Sequence, residues 1–369
     1  MTTEVIGRLV IDDAVIPGRL TVEDGRIATV EPDPAAGDGP MVAAGFIDLH
    51  VHGWGGHDAM GGPAALAVMA RGLLRSGVTS FLPSAVTMPL PDLARFMEDV
   101  RSAAPAEDGA EILGGNLEGP FLSPDRRGAH DARHLLRPAD LGRDAVAPLL
   151  DRLRLITVAP ELDGELDLIT WLAGSGVVVA LGHSAATADE ARAGYAAGAR
   201  STTHLFNAMS GIGHRAPGLA GTALADDRAS VELIADDVHV DPVLYPVVLR
   251  AKPAGSLLLV SDAISLAGTG DGRTTVGGLP VEVRGARATL VGSDVIAGSV
   301  AGLGGGVRNL ARAGIGVTDA LAAAAANPAR LLGLEDRGRI APGMVADLVE
   351  FDDELRVTAT WARGRRIPG

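Results

Sequence analysis

The two ends of the chain share one hydrophobic pattern, in which short apolar stretches are interrupted by Asp-Gly and Pro-Gly pairs. Pairs of this kind are typical of turns between β-strands. Strands are expected at residues 5–11, 15–22 and 26–30, and again in the tail at 347–351 and 356–363. We therefore predict that residues 1–43 and 340–369 together form one small β-sandwich domain.

The central residues follow a different pattern, in which short apolar runs alternate with stretches rich in alanine and leucine. The runs are residues 46–51, 79–83, 111–117, 153–158, 177–181, 201–205, 231–235 and 257–260. Such alternation indicates parallel strands that are buried on both faces and joined by helices. Eight repeats favour a closed barrel over an open sheet. The prediction is an α/β fold in which residues 44–339 form a (β/α)8 TIM-like barrel, with a hairpin excursion at 274–291.

Ligand-type side chains follow most of these apolar runs, and in a barrel such positions open on the face where active sites are built. His, Glu and Asp are good ligands for a divalent metal. Two of the histidines are separated by one residue, so they lie on the same face of a strand and can reach one ion together. The residues at the ends of the runs or shortly after them are His50, His52, Glu118, His183, His204, His239 and Asp262.

Asp262 directly follows the last apolar run, where an unpaired acid costs free energy unless it is paired or bound to a metal. It would suit a general base.

The absence of cysteine excludes thiolate ligands and disulfides, and the net charge of −14 disfavours nucleic acid and anionic membrane surfaces as partners. No secretory signal or membrane span is recognisable, which predicts a cytoplasmic protein.

Several motifs carry a resemblance to known hydrolases. The segment AGFIDLHVHG at 44–53 resembles the first conserved motif of the amidohydrolase superfamily. The segments NLEGPF at 116–121, GHS at 182–184, THLFNAM at 203–209 and DVHV at 237–240 are similar to those of its N-acetylglucosamine-6-phosphate deacetylase family. The resemblance implies hydrolysis of the acetamide of N-acetylglucosamine 6-phosphate to glucosamine 6-phosphate and acetate.

The resemblance also implies one or two divalent ions per subunit, with zinc as the first choice and iron, manganese or cobalt as alternatives. His183, His204 and Glu118 would hold the main ion. His50 and His52, with Glu118 shared and Asp262 adjacent, would support a second. Many related enzymes bridge two ions with a modified lysine, but the only lysine here is Lys252, between the seventh and eighth strands, so Glu118 is the remaining candidate bridge.

Further residues match substrate contacts of the resembled family. Arg215 is implied to reach the phosphate across the interface of a homodimer. A bound metal lowers the pKa of its water toward about 7 and so supplies hydroxide. Asp262 is expected to act as general base and acid, while His239 and the metal stabilise the oxyanion. The implied substrate-binding residues are Ala129, His130, Asn207, Ala208, Arg215, His239, Ile296, Ala297 and Gly298.

The chain departs from the resembled pattern at three places. Asp237 stands where glycine is usual, the segment 299–306 differs from the common one after Gly298, and Trp54 occupies a glycine-rich loop. These differences leave other substrates open, namely another N-acetylated amino-sugar phosphate, such as the galactosamine epimer, or an N-acyl amino acid. A barrel that has lost catalysis and serves as a scaffold is a third alternative.

Overall fold

The first strands of the chain form an antiparallel meander with one parallel addition. The computed structural model of the chain describes residues 2–103, 108–253 and 255–369. A 3-10 turn at Pro34–Asp38 separates the meander from the fourth strand, which pairs in parallel with the first. The strands are β1 (Thr3–Ile11), β2 (Ala14–Glu23), β3 (Arg26–Pro32) and β4 (Met41–Ala44).

After β4, strands and helices alternate as the hydrophobic pattern predicts. In chain order the elements are β5 (Phe46–Val51), β6 (Gly53–Trp54), β7 (His57–Asp58), α1 (Pro63–Arg75), β8 (Val78–Ala85), α2 (Leu90–Ser102), β9 (Glu111–Ile112), β10 (Gly115–Glu118), α3 (Arg143–Val146), β11 (Leu153–Val158), α4 (Glu165–Gly174), β12 (Val178–Leu181), α5 (Ala188–Ala197), β13 (Ser201–Thr202), α6 (Gly218–Ala225), β14 (Ser230–Leu233), α7 (Tyr245–Ala251) and β15 (Leu257–Leu259). Further 3-10 turns lie at Pro124–Arg126, Ala132–His134, Pro138–Asp140, Ala147–Leu149 and Pro242–Leu244.

Eight of these strands form a nearly closed parallel barrel. Their order in the sheet is β5, β8, β10, β11, β12, β13, β14 and β15. A parallel bridge between Val51 and Ala263 brings the end of β5 next to the segment that follows β15. All residues of β5 and β8 are buried, as expected when helices cover a parallel sheet. The predicted (β/α)8 architecture is confirmed.

The rest of the chain adds a small sheet, three helices and the last strands. These are β16 (Gly272–Val276), β17 (Leu279–Arg284), β18 (Arg287–Leu290), α8 (Leu303–Arg312), α9 (Val317–Ala324), α10 (Ala326–Leu331), β19 (Leu348–Phe351), β20 (Val357–Ala362) and β21 (Arg365–Pro368). The hairpin excursion predicted at 274–291 is the antiparallel sheet of β16, β17 and β18.

The two ends of the chain meet in one mixed sheet, in the order β21-β20-β19-β4-β1-β2-β3. The expected β-sandwich therefore takes the form of one continuous sheet of seven strands. Some of its apolar side chains, among them Leu9, Leu20, Leu348 and Trp361, form a cluster of their own, while others, such as Val10 and Phe351, pack with the core of the barrel. The antiparallel pairing of β19 with β4 joins the tail to the strand that leads into the barrel.

Lys252, the only lysine of the chain, has a structural role. Its ammonium group donates hydrogen bonds to the carbonyl oxygens of Ala223 (3.0 Å) and Asp226 (2.7 Å), at the end of α6. The last carbonyl groups of a helix have no partner within it, so the buried amine satisfies groups that would otherwise be orphaned. Among the described residues, no helix combines the length and apolar character that crossing a membrane requires.

Candidate metal centre and substrate pocket

Side chains from separate strands meet at the carboxyl end of the barrel. His50 lies on β5 and Glu118 ends β10, while His183, His204 and Asp262 follow β12, β13 and β15 within three residues. Each of these side chains is buried. The convergence follows from the parallel barrel, which places the carboxyl ends of all its strands at one face.

Glu118 stands at the centre of this cluster, and its two oxygens face different histidines. Oε1 lies 2.9 Å from Nε2 of His183 and 2.9 Å from Nε2 of His204. Oε2 lies 3.2 Å from Nε2 of His52 and 3.7 Å from Nε2 of His50. Asp262 Oδ1 lies 3.3 Å from His52 Nε2 on the same side. One carboxylate thus joins two groups of possible ligands.

The other ring nitrogen of three histidines faces an oxygen that can only accept a hydrogen bond. The contacts of Nδ1 are His50 with Glu232 Oε2 (3.3 Å), His52 with the Ser84 carbonyl (3.0 Å) and His183 with the Arg126 carbonyl (2.8 Å). A neutral imidazole in such a contact keeps its proton on Nδ1. Its Nε2 lone pair is then free, which is the form of histidine that binds a metal.

The Nε2 atoms of these histidines and of His204 lie in close pairs. The Nε2 atoms of His183 and His204 are 3.1 Å apart, and those of His50 and His52 are also 3.1 Å apart. Burial alone would lower the pKa of His52, but the hydrogen bonds that its ring donates to Asp262 and Glu118 raise it to about 9. The cluster therefore attracts positive charge, and its donor set fits divalent metal ions.

His130 enters the cluster from the loop after β10, but in a different hydrogen-bonding state. Its Nε2 lies 3.1 Å from Glu118 Oε2, while its Nδ1 accepts a hydrogen bond from the backbone N–H of Thr87 at 3.2 Å. Burial lowers the pKa of His130 to about 4, although the negative charge of Glu118 acts to raise it. A neutral His130 then carries its proton on Nε2. It is a hydrogen-bond donor to Glu118, unlike His50, His52 and His183, whose Nδ1 atoms face acceptors.

Three of the clustered residues have a left-handed backbone. The φ angles are 46° for His183, 26° for His204 and 49° for Asp262. Side chains other than glycine rarely adopt this conformation, and it persists where the surrounding structure fixes it. For Asp262 the backbone N–H donates to the His50 carbonyl (2.8 Å) and the carbonyl accepts from Ser299 (2.8 Å). The neighbouring strands thereby hold the carboxylate in place.

A pocket of about 410 Å³ opens over the cluster, within the size range of small-molecule sites. His50 lies beneath it, completely buried. A larger cavity of about 720 Å³ lies between α9, α10 and the terminal sheet, away from the histidines. The predicted substrate residues that line the smaller pocket are Ala129, His130, Asn207, Ala208, His239, Ile296, Ala297 and Gly298.

Arg215 is the one predicted substrate residue that does not line this pocket. It is exposed on the loop 211–217, which precedes α6. Neighbouring Ile212 is an exposed apolar side chain, with 58% of its surface accessible. Arg215 is therefore an exposed side chain outside the pocket lining.

Several residues of the site were missed by the sequence analysis. Asp125, Arg126 and Asp294 line the pocket, and Glu232 and Asp236 hold histidines beside it. Glu232 carried a recognisable signal, since it interrupts the apolar run 231–235 and is completely buried. The loop residues carried none, because neither an apolar run nor a motif marks them.

The departures from the resembled pattern are accommodated locally. Asp237 has a φ of 62°, and its carboxylate accepts hydrogen bonds from Tyr245 (3.1 Å) and Arg312 (3.4 Å) outside the pocket lining. Trp54 packs where neighbouring residues lack a side chain: a Cβ at Gly302 would lie 2.9 Å from the indole, and one at Gly72 only 2.5 Å. Neither departure brings charge or bulk into the pocket.

Comparison with known proteins agrees with this site. The model of the amidohydrolase family matches residues 41–367. The chain is 38% identical to the N-acetylglucosamine-6-phosphate deacetylase of Bos taurus, over 95% of this chain and 88% of the relative. It is 36% identical to the N-acetylgalactosamine-6-phosphate deacetylase of Escherichia coli O157:H7, over 94% of each chain.

A solved structure extends the similarity to the whole fold. It is a mutant N-acetyl-D-glucosamine-6-phosphate deacetylase from Mycobacterium smegmatis in complex with N-acetyl-D-glucosamine-6-phosphate. It is 34% identical to this chain, with a TM-score of 0.90 over all of both chains. The chain belongs to the amidohydrolase family, and to the branch of it that contains the N-acetylglucosamine-6-phosphate deacetylases.

Proposed function

We propose that the protein is a metal-dependent deacetylase that hydrolyses N-acetylglucosamine 6-phosphate to glucosamine 6-phosphate and acetate. The observation that carries this proposal is the convergence of histidine Nε2 atoms on both oxygens of Glu118, beneath a pocket that Asp262 also lines. Relatives that carry this activity in their names support the choice of substrate.

The ligands we propose are His183, His204 and Glu118 for a first ion, with His50, His52 and Asp262 available to a second. Zinc is the ion we expect first, with iron, manganese and cobalt as alternatives. When bound, such an ion polarises the amide carbonyl and lowers the pKa of water. The cluster supplies no cysteine that would restrict the choice of metal further.

The protein's own side chains account for the proton transfers. Asp262 takes a proton from the attacking water and delivers it to the departing nitrogen, from a position on the pocket wall beside His52. His239 lines the same pocket and donates to the oxygen that becomes negative. His130 also lines the pocket, with its Nε2 proton directed at Glu118.

We propose that the phosphate is bound between two subunits. Asn207 and the backbone of Ala208 line the pocket, and the exposed Arg215 would reach the site of a partner in a homodimer. A phosphate monoester carries a charge of about −1.5 to −2 at pH 7, and the chain has a net charge of −14. A specific arginine is thus needed to offset the repulsion.

We further propose that the enzyme is cytoplasmic and that its chain folds into two structural units. Residues 44–339 would form the catalytic barrel, and residues 1–43 with 340–369 the terminal β unit. The terminal sheet supports this division with an apolar cluster of its own, which includes Leu9, Leu20, Leu348 and Trp361. The terminal unit lies against α9 and α10, while the ligand cluster lies at the carboxyl ends of the strands.

N-acetylgalactosamine 6-phosphate is a second candidate substrate. The E. coli relative named for that activity is nearly as similar as the bovine one, at 36% against 38% identity. The two sugars differ in the orientation of one hydroxyl group, and discrimination between them depends on which polar group of the pocket lining contacts that hydroxyl. Both substrates therefore belong in the test.

The test combines metal analysis with acetate release. Protein purified without added metal should contain a stoichiometric divalent ion and release acetate from at least one of the two sugar phosphates, preferring phosphorylated over unphosphorylated sugar. An N-acyl amino acid serves as the non-sugar comparison. If metal-loaded protein released no acetate from any of these compounds, the deacetylase proposal would be wrong and the scaffold alternative would stand.

A further inference from the structure

We propose that Asp236 is a positioning residue, which holds His239 so that its Nε2 atom serves the pocket as a positively charged hydrogen-bond donor. The proposal rests on the deacetylase function above and deepens it. It concerns a residue that neither the hydrophobic pattern nor the motifs single out.

The carboxylate of Asp236 is fully engaged with the segment that carries His239. Oδ2 lies 2.7 Å from Nδ1 of His239, and Oδ1 accepts hydrogen bonds from the backbone N–H groups of His239 (2.8 Å) and Val238 (3.0 Å). The accessible fractions of the two side chains are 4% and 5%. One acid thus fixes both the backbone and the ring of His239.

The left-handed turn at Asp237 makes this geometry possible. The Asp237 N–H donates to the hydroxyl oxygen of the buried Tyr245 at 3.0 Å, and the hydroxyl donates to the Asp237 carboxylate at 3.1 Å. The chain therefore reverses between Asp236 and His239, which brings the acid back to the ring. Tyr245 and Asp236 hold the two sides of the turn.

The hydrogen bond to Asp236 determines whether His239 presents a hydrogen-bond donor or an acceptor at Nε2. A carboxylate only accepts, so the Nδ1 proton stays between the two residues. Neutral His239 would then present a lone pair on Nε2 to the pocket, and only the imidazolium form presents an N–H there. His130 differs, because its Nδ1 accepts from Thr87 and its neutral form already carries a proton on Nε2.

The charges around His239 favour the imidazolium form. Burial alone would lower the pKa of His239, but the hydrogen bond and charge of Asp236 outweigh burial and raise it. Asp262, after β15, acts in the same direction, and Arg287, on β18, acts against both. A cation on Nε2 suits the negative oxygen that forms when water attacks an amide.

The experiment compares Asp236→Asn with the wild type across pH. The amide keeps the size of the side chain but removes its charge, so kcat should fall about 100-fold or more, in the range for loss of an oxyanion donor. Loss of kcat/KM at alkaline pH should begin at a lower pH, because the imidazolium form of His239 is no longer stabilised. Asp236→Glu should restore part of both.

Two controls separate positioning from general damage. Asp241→Asn changes an acid that caps a nearby turn through the Val243 N–H (2.9 Å) and contacts no histidine, so it should leave the pH profile unchanged. In a His239→Gln background, Asp236→Asn should cost little further activity, since its effect would pass through the ring. The proposal would be overturned if the activity losses of the two substitutions were additive. It would also be overturned if the alkaline fall of kcat/KM occurred at the same pH in Asp236→Asn as in the wild type.

An NMR titration tests the inference independently of turnover. The His239 ring resonances should titrate at a lower pH in Asp236→Asn than in the wild type, with signals assigned by comparison with His239→Gln. If the wild type released no acetate but the titration shifted, the deacetylase function would fail and the positioning of His239 would stand. An unchanged titration would overturn the positioning whatever the activity.

Discussion

The Nδ1 atom of His50 lies 3.3 Å from Oε2 of Glu232, a carboxylate that is completely buried in β14. The same oxygen lies 3.3 Å from the backbone nitrogen of His204. Glu232 therefore contacts one histidine from each of the two ligand groups that Glu118 joins. Partners of this kind orient metal-binding histidines and keep their free nitrogen directed at the ion.

Glu232→Gln should weaken metal binding at His50 and His52 by about 10- to 100-fold, because the neutral amide holds the Nδ1 proton less strongly. The ion at His183, His204 and Glu118 should be retained. The measurement is metal stoichiometry after dialysis against graded chelator. Glu165→Gln is the matched control, since Glu165 is equally buried but contacts no histidine among the described residues. Equal stoichiometry in all three proteins would contradict the role of Glu232.

Asp262→Asn should leave metal content near that of the wild type while turnover falls by about 100- to 10,000-fold, the usual contribution of a general acid or base. The amide oxygen can still contact the cluster, but it cannot accept and return a proton. Single-turnover acetate release and metal analysis on the same preparation give the answer. Turnover close to the wild-type value would remove Asp262 from the proton transfers.

Arg215→Ala should raise KM for the phosphorylated sugar far more than for the unphosphorylated one. The proposed dimer adds a sharper test, in which Arg215→Ala and Asp262→Asn subunits are mixed. If equal amounts of the two variants exchange subunits at random, half of the dimers contain one subunit of each variant. Each of these dimers has one complete site out of two, so about a quarter of wild-type activity should return. If Arg215 served its own subunit instead, mixing would restore nothing.

Asp347→Asn should change how stability depends on pH. Burial raises the pKa of Asp347 to about 6 from an ordinary 3.8, so the folded state binds more protons than the unfolded state between these values. Stability from this group is present at low pH and is lost as pH rises through 6, by at most about 3 kcal/mol. The variant should therefore gain stability relative to the wild type at pH 8 but not at pH 4. Urea unfolding at both values measures the difference, and an equal offset at both would argue against it.

The strand pattern predicted the barrel and most of the side chains that meet at its mouth because parallel strands place their carboxyl ends at one face. Exact strand ends were less predictable. The run expected at 201–205 ends as a strand at Thr202, since the left-handed backbone of His204 cannot continue it. The run at 111–117 is split in two around Gly114, whose φ is 143°.

Contacts between distant parts of the chain could not be predicted from the sequence. His50 and Glu232 are 182 residues apart, and no local pattern links them. Trp54 was noted only as a departure in a glycine-rich loop, and the structure places Gly72 and Gly302 beside its indole. These contacts depend on tertiary packing, so they can be recognised only once the fold is known.

The buried amine of Lys252 has a practical consequence for chemical labelling. Because this is the only lysine of the chain, and both α6 carbonyl contacts occupy its ammonium group, the folded protein offers amine-reactive reagents no exposed lysine side chain. Modification of Lys252 would require the end of α6 to open first. Its rate of acylation would therefore report local unfolding at the C-terminal end of α6.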